Sequence, residues 1–268
     1  MPHFNGASVG TAEPPRGDSS YHALQMKWDK RFSHGLSMLA HYTWSHMIDN
    51  SSHSSGNVSW LGGETRIQNI WDLDAERSLS AHDVAHRLAV AGVWQLPFGR
   101  DRRWGSGWNR VADLVLGGWN ISGVFSRQSG LPLSVVQTSL NQSGGQIWDG
   151  TQRPNLVGDP STSGPITSRL DNYFNAAAFS QPPTDVPGTA PRTLSYRGPG
   201  IRIFDAVLIK DVAVRDGQRL EIRIEAQNVL NHPVFGDPNT SFGSTSFGQI
   251  TNTKVGPRQM MLGFKYHF

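Results

Sequence analysis

The sequence contains no cysteine and no long apolar run, and each absence excludes a class of protein. Without cysteine there is no disulfide framework, no thiolate metal site and no cysteine nucleophile. No stretch approaches the roughly 18 apolar residues that a membrane helix needs. The longest apolar run, residues 111–119, is interrupted by Asp113, Gly117 and Gly118. These absences exclude a helical membrane protein but not a β-barrel, whose strands alternate and never look hydrophobic overall.

Charge is also scarce, at 17% of 268 residues. The 24 Lys and Arg residues are scattered, apart from a short cluster at residues 100–103, so we expect no nucleic-acid partner. In contrast, the chain has 29 Gly, 16 Pro and nine Trp. Glycine and proline favour turns, and tryptophan is favoured at membrane–water interfaces. This composition is more typical of an all-β chain than of a helical one.

Seven segments of about ten residues alternate apolar and polar side chains, which predicts β-strands. The fifth segment alternates least clearly, because Lys210 falls on its apolar face. The sixth is the clearest, and its polar face carries Glu221, Arg223, Glu225 and Gln227. A short helix is expected near residues 110–116. The predicted strands cover residues 21–32, 36–45, 87–96, 119–135, 203–214, 220–229 and 258–268.

Short and long connections alternate along the chain. Short turns at residues 33–35 and 215–218 contrast with long polar segments at about 46–86, 137–199 and 231–257. Membrane β-barrels have short periplasmic turns and long extracellular loops, and their strands are about 9–11 residues long. The pattern therefore predicts an all-β fold, part of an antiparallel transmembrane β-barrel. Residues 1–19 are then expected to be the remainder of an extracellular loop.

This arrangement assigns a direction to each strand face. Apolar rows would meet lipid, and the polar row of the sixth strand would face the lumen. Charges there could line a substrate path, but we favour cross-strand ion pairs or plug contacts. Tryptophans near strand ends are expected in interfacial girdles; a soluble protein would instead bury them. The lumen-facing set is Glu221, Arg223, Glu225 and Gln227, and the interfacial set is Trp28, Trp44, Trp94 and Trp119.

The last strand carries the most specific pattern. Leu262, Phe264, Tyr266 and Phe268 occupy alternate positions up to the C-terminus. This resembles the terminal strand that the barrel-assembly machinery recognises in bacterial outer-membrane proteins. Over most of residues 20–268, the chain resembles the last strands of Oar-like TonB-dependent receptors. The segments that carry the resemblance are YHALQMKWDKRFSHGLSMLAHYTWSHMIDN, HDVAHRLAVAGVWQLPFG, LGGWNISGVFSRQSGLPLSV, RIEAQNVLNHPVFG and RQMMLGFKYHF.

The resemblance implies a large barrel in outer-membrane lipid, with a plug domain in its lumen and energy supplied by TonB. Its solutes would be large or scarce, such as siderophores, cobalamin, glycans or peptides. The sequence shows no signal peptide, TonB box, plug or N-terminal sandwich domain. Seven strands is an odd number, whereas closed bacterial barrels have an even number from eight upwards. We therefore expect a C-terminal portion of a barrel, completed by N-terminal strands and a plug from outside this sequence.

Two motifs before the third strand could hold a ligand or a metal. Asp83 and His86 could contact a ligand at the barrel mouth, although anchoring of the loop is the favoured interpretation. His82 and His86 have the i, i+4 spacing that could chelate zinc on a helix, but neither an HExxH motif nor a third ligand accompanies them.

A third motif, Asp72, Asp74 and Glu76, begins like a calcium loop. Arg77 stands where glycine is needed and Asp83 where glutamate is needed, so a solvated loop is favoured. No GxSxG, P-loop or GxGxxG motif is present. We expect no enzyme activity, no cofactor and no resident metal.

The leading hypothesis is an outer-membrane receptor whose loops contribute to ligand capture and uptake. One alternative is a structural or adhesive outer-membrane protein of the same fold. Another is a soluble secreted β-sandwich that binds carbohydrate through its tryptophans. A sandwich would bury the apolar rows between two stacked sheets, so the fold distinguishes it from a barrel.

Overall fold

Seven long strands form the main element of the computed structural model, which describes residues 17–51, 65–69, 72–100, 102–138, 151–215 and 217–268. The long strands are β1 (Ser19–Ser33), β2 (Leu36–Asp49), β4 (His86–Gln95), β5 (Trp119–Gln128), β9 (Ile201–Arg215), β10 (Gln218–Gln227) and β14 (Gln259–His267). They pair antiparallel in the order β1-β2-β4-β5-β9-β10-β14. Each is therefore hydrogen-bonded to the next long strand along the chain.

The shorter elements lie in the connections. Strand β3 pairs with the end of β2, and the other short strands form three small two-stranded sheets. Helix α1 (Arg110–Leu116) matches the predicted helix and begins after Asn109, whose side chain accepts a hydrogen bond from the Ala112 N–H at 2.8 Å. The short strands are β3 (Ser78–Leu79), β6 (Val136–Gln137), β7 (Asn155–Leu156), β8 (Phe179–Ser180), β11 (Val234–Phe235), β12 (Ser241–Phe242) and β13 (Thr253–Val255).

Each predicted strand overlaps one long strand, but the fourth prediction extends too far. We predicted a strand over residues 119–135, whereas β5 ends at Gln128. Pro132 has no N–H to donate to a ladder, and Leu133 and Val135 are buried in a cluster formed by the loops. The predicted loop remnant at residues 1–19 lies mostly outside the described residues, and Ser19 already belongs to β1.

The turn between β1 and β2 shows why these strands form a tight hairpin. His34 and Gly35 both have positive φ, 53° and 80°. Positive φ at both central residues is the signature of a type I′ turn, whose twist matches that of the flanking strands. A Cβ on Gly35 would lie 2.6 Å from the carbonyl oxygen of Gln95, so the close approach of the neighbouring strand also requires glycine.

The register of the strands assigns the side chains to two faces. Met38, Gly92, Gly123 and Ala206 lie opposite one another in one row. The neighbouring row contains Ser37, Val93, Ser122, Val207 and Glu225. We call the face of the first row the apolar face. The face of the second row lines a groove, and we call it the groove face.

The long connections fold into a core of their own at one end of the sheet. This loop core joins the β5–β9 and β10–β14 connections, and its aromatic rings pack at centroid distances of 5.2 to 6.3 Å. No helix among the described residues is long and apolar enough to cross a membrane. The buried residues of the loop core are Leu133, Val135, Tyr173, Phe174, Ala178, Phe179, Leu194 and Ile250.

Candidate functional site

The apolar face is open to the surroundings over most of the sheet. A row across it runs through Leu36, Trp94, Ile121, Leu208, Ile224 and Leu262. Within the part of the chain that the structure describes, no second sheet covers this face. A continuous apolar surface of this extent requires a membrane or a partner to cover it. The apolar rows are therefore not the dry interior that a soluble sandwich would require.

The four residues of the predicted assembly signal lie at the end of this face. Leu262, Phe264 and Tyr266 share one side of β14, opposite Ile224, Ile222 and Leu220 of β10. Their side chains are 59%, 66% and 49% exposed, and Phe268 follows the strand. Strand β14 is an edge strand among the described residues. Recognition of this strand by the assembly machinery stays a prediction.

The four predicted interfacial tryptophans all project on the apolar face. Trp28, Trp44 and Trp94 are exposed, whereas Trp119 is partly buried. Trp44 lies near the end of the sheet that leads into the long connections. Trp94 and Trp119 both lie at the other end of the sheet. Trp119 donates a hydrogen bond from Nε1 to the Val115 carbonyl oxygen at 2.9 Å. Their positions suit interfacial girdles, and that role also stays a prediction.

Lys210 explains the weak alternation of the fifth predicted strand. Its position is on the apolar face, opposite Trp119 and Ile222. The side chain is 6% exposed, and its Nζ donates to the carbonyl oxygen of Gly117. Nζ also lies 5.7 Å from the centre of the Trp119 ring, a distance typical of a cation–π contact. The ammonium group is thus held by the β4–β5 connection at the end of the strand.

The predicted lumen-facing residues share the groove face of β10. The Arg223 guanidinium lies 3.1 Å from the Glu225 carboxylate and 3.9 Å from that of Glu221. Across the strands, His267 Nε2 lies 3.7 Å from Glu221. Arg223 therefore pairs along its own strand, and among the described residues His267 alone provides a cross-strand ionic contact to this set. Gln227 ends the row and lines the groove together with Glu225.

The groove runs across five long strands, from β2 to β10. Its volume is about 510 Å³, and its wall combines small apolar side chains with Asp205 and Glu225. Beside it, Asn120 donates to the Asp211 carboxylate at 3.1 Å. This face carries hydrogen-bonding and charged groups along every strand that lines it, so it suits contact with water or with a polar solute.

The long connections are anchored by ion pairs that the sequence alone does not reveal. Glu76 is fully buried, and its carboxylate accepts two hydrogen bonds from the Arg153 guanidinium, at 2.6 and 3.0 Å. It also accepts the backbone N–H groups of Gln68 and Asn69, both at 3.1 Å. Because these donors surround the Glu76 carboxylate, it is not available as the calcium ligand considered from the sequence.

A second buried pair joins the end of β2 to the β5–β9 connection. Arg192 donates to the carboxylate of Asp49, to its carbonyl oxygen at 2.8 Å, and to the carbonyl oxygen of Glu76 at 3.0 Å. Burial lowers the pKa of Arg192, while the charge and hydrogen bonds of Asp49 raise it. The pair is stable only because the guanidinium is so fully hydrogen-bonded.

The third ion pair, between Arg197 and Asp83, lies just before β4. The buried Asp83 carboxylate accepts hydrogen bonds from the Arg197 guanidinium and from the Met47 N–H. These contacts agree with the interpretation that Asp83 anchors the loop before β4. His86 is the first residue of β4 and lies 2.8 Å, Nδ1 to Oη, from Tyr42. His82 and His86 do not lie on a helix, so their spacing does not create the zinc pair considered from the sequence.

The family comparison agrees with this two-faced sheet. The family model described as "Outer membrane beta barrel domain" matches residues 2–261. A search of curated proteins gave no match. The family match covers nearly all of the sheet, including the apolar face, the groove face and the anchored connections.

Proposed function

Because this chain belongs to the outer membrane beta barrel domain family, we propose that it forms part of the wall and the external loops of a receptor that takes up a large or scarce solute. The protein resides in the bacterial outer membrane. In that setting the apolar face meets lipid, and the groove face lines the lumen. We propose binding and transport rather than catalysis.

The anchored loops are the observation that carries this proposal. Loops of this length are uncommon unless they serve a function, and here they enclose a hydrophobic core. Three arginine–carboxylate pairs, two of them buried and the third partly buried, attach them to one another and to the sheet. A surface held in one conformation loses less entropy when it binds a ligand. External loops that are ordered before binding are what a capture surface requires.

The two edges of the sheet indicate which further elements the barrel needs. Strands β1 and β14 each pair with one long strand only among the described residues. In hydrocarbon, each unpaired N–H or C=O group costs several kcal/mol. We propose that further strands pair with both edges, that a plug domain fills the lumen, and that the TonB system supplies the energy. The barrel-assembly machinery would recognise β14.

Uptake in live bacteria tests the proposal. Radiolabelled ferric siderophores, cobalamin and maltodextrins would be supplied to the native host, to a strain lacking this protein, and to a strain lacking TonB. We expect at least one of these solutes to accumulate only when both the protein and TonB are present. Replacing Glu225 and Arg223 by glutamine should lower that uptake, because both side chains lie on the groove face.

A structural or adhesive protein would give a different result. The deletion strain would then take up every solute as the native host does, while its envelope integrity or surface attachment would be impaired. That outcome would overturn the transport proposal and leave the outer-membrane location untouched.

A further inference from the structure

Two arginines lie directly opposite each other on the apolar face. Arg127 of β5 pairs in register with Arg202 of β9, at the end of the strands that leads into the long connections. The preceding pair on the same face is Phe125 and Phe204. Both arginines are exposed. Like charges directly opposite each other destabilise a sheet, so this pair calls for a compensating anion.

The described residues do not supply that anion. Other arginines near the sheet have carboxylate partners: Arg219 pairs with Asp211, and Arg223 with Glu225. Within the described ranges, neither Arg127 nor Arg202 has a carboxylate within 4.0 Å. Arg202 Nη2 instead lies 3.1 and 3.2 Å from the two ring nitrogens of His232, which fixes its position without neutralising its charge.

A pocket lies in front of the two guanidinium groups. Tyr42, His86 and His232 border it together with the arginines. At one side of the pocket, the chain segments 128–130 and 198–200 approach each other closely. A Cβ on Gly130 would lie 1.7 Å from the Gly198 carbonyl oxygen, and a Cβ on Gly200 would lie 2.6 Å from that of Gln128. Glycine at both positions therefore allows these two backbone segments to lie so close together beside the arginines.

The position of this pocket matches the headgroup level of a membrane. On β5 and β9, the apolar face runs from the Trp119–Lys210 pair to the Arg127–Arg202 pair. Eight residues of strand span about 26 Å along the strand axis, which a tilt of about 35–45° reduces to about 18–22 Å along the membrane normal. That is a few Å less than the roughly 25 Å apolar band of outer-membrane barrels, a difference that long arginine and lysine side chains bridge by extending their charged groups to the interface. The arginines thus mark the extracellular end of this band.

We propose that the Arg127–Arg202 pocket binds the phosphate group of a lipid in the outer leaflet of the outer membrane. A guanidinium donates two parallel hydrogen bonds to phosphate. Opposite Cβ atoms lie about 4.5–5.5 Å apart in such a pair, so both arginines can reach one phosphate. Phe125 and Phe204, next on the same face, would contact the acyl chains. This placement favours a lipid over free phosphate in water.

The test uses the whole protein, extracted from its membrane, stripped of lipid and held in a neutral detergent. The probes are diphosphorylated lipid A, the same lipid with its phosphates removed, and inorganic phosphate. We expect lipid A to bind and to raise the melting temperature, and the dephosphorylated lipid to do neither. The double variant Arg127→Gln with Arg202→Gln should bind lipid A at least about tenfold more weakly, from the loss of charge-assisted hydrogen bonds.

Arg87→Gln is the matched control. Arg87 is exposed at the same end of the sheet, but its register with Thr43 and Gln128 places it on the groove face. Its affinity for lipid A should equal that of the unaltered protein. The double variant should be at least as stable as the unaltered protein without lipid, because the repulsion is removed. That result would also establish that the double variant folds.

Three results would overturn the proposal. They are equal binding of lipid A by the double variant, equal binding of the dephosphorylated lipid, and displacement of lipid A by millimolar inorganic phosphate with the same potency as by free lipid A. The last would assign the pocket to soluble phosphate. The inference rests on the outer-membrane location and not on transport, so its failure would leave solute uptake as a separate question.

Discussion

Arg192 and Asp49 lie 143 positions apart in the sequence and form a buried ion pair. Asp49 is the last residue of β2, and Arg192 belongs to the connection between β5 and β9. The same guanidinium donates to the carbonyl oxygen of Glu76 at 3.0 Å. One side chain of the β5–β9 connection is therefore bound both to the end of β2 and to the β2–β4 connection.

Replacing Arg192 by methionine should loosen these loops. The change leaves the buried Asp49 carboxylate without its counter-ion, which typically costs about 3–5 kcal/mol. Hydrogen exchange should become faster in residues 65–80 and 151–200, and proteases should cleave there. The control is Arg77→Met, which removes an ion pair with Asp18 whose side chains are 45% and 64% exposed and should cost at most about 1 kcal/mol. Equal effects of the two changes would refute an anchoring role for Arg192.

Phe174 should be the most sensitive position of the loop core. It is 3% exposed, and its ring packs against those of Tyr173, Phe179 and Phe247. Phe174→Ala should destabilise the loops by about 3–5 kcal/mol, detected as proteolysis of the loops while the strands stay protected. Val157→Ala, at a side chain that is 64% exposed, should have an effect within about 0.5 kcal/mol. If the strands lost their protection from proteolysis together with the loops, the loops and the sheet would not unfold separately.

The loop core should open at alkaline pH. Burial, reinforced by the nearby Tyr196, raises the pKa of Tyr173 above its ordinary value, and its hydroxyl donates to the Arg197 carbonyl oxygen at 2.7 Å. Tyr173 ionises first in the unfolded loop, so its contribution to stability is complete below about pH 10. That contribution is lost as the pH rises from there through the higher pKa of the folded loop.

Near-ultraviolet circular dichroism and loop proteolysis between pH 8 and pH 12 measure this opening. Tyr173→Phe removes the ionisable group and should flatten the pH dependence, although it weakens the loop at neutral pH by the loss of one hydrogen bond. An unchanged pH profile in this variant would assign the alkaline opening to another group.

Local alternation was sufficient to locate the strands and their faces. Leu220, Ile222 and Ile224 share the apolar face of β10, as their spacing predicts, and the antiparallel barrel class of the fold is confirmed by the family match. Alternation with a period of two is a property of a single strand, so one segment of sequence is enough to predict which of its side chains share a face.

The anchors of the loops could not be predicted in this way, because their partners are far apart in the sequence. Glu76 looks like a calcium ligand beside Asp72 and Asp74, and only the fold brings Arg153 to it. Leu133 and Val135 continue the alternation of β5 but are buried against loop residues. Gly130 and Pro132 were the local signals that the strand had ended.

Adjacent residues on β14 give the most direct test of the two faces. Leu262 lies opposite Ile224 on the apolar face, and Met261 lies opposite Glu225 on the groove face. Their exposed fractions are similar, 59% and 67%. Leu262→Arg places a charge in hydrocarbon and should cost about 2–4 kcal/mol near the middle of the membrane. Met261→Arg places the same charge near a carboxylate and water, so it should be tolerated. Urea unfolding of the protein in lipid vesicles measures both, and the reverse order of stability would mean that the groove face, not the apolar face, meets the lipid.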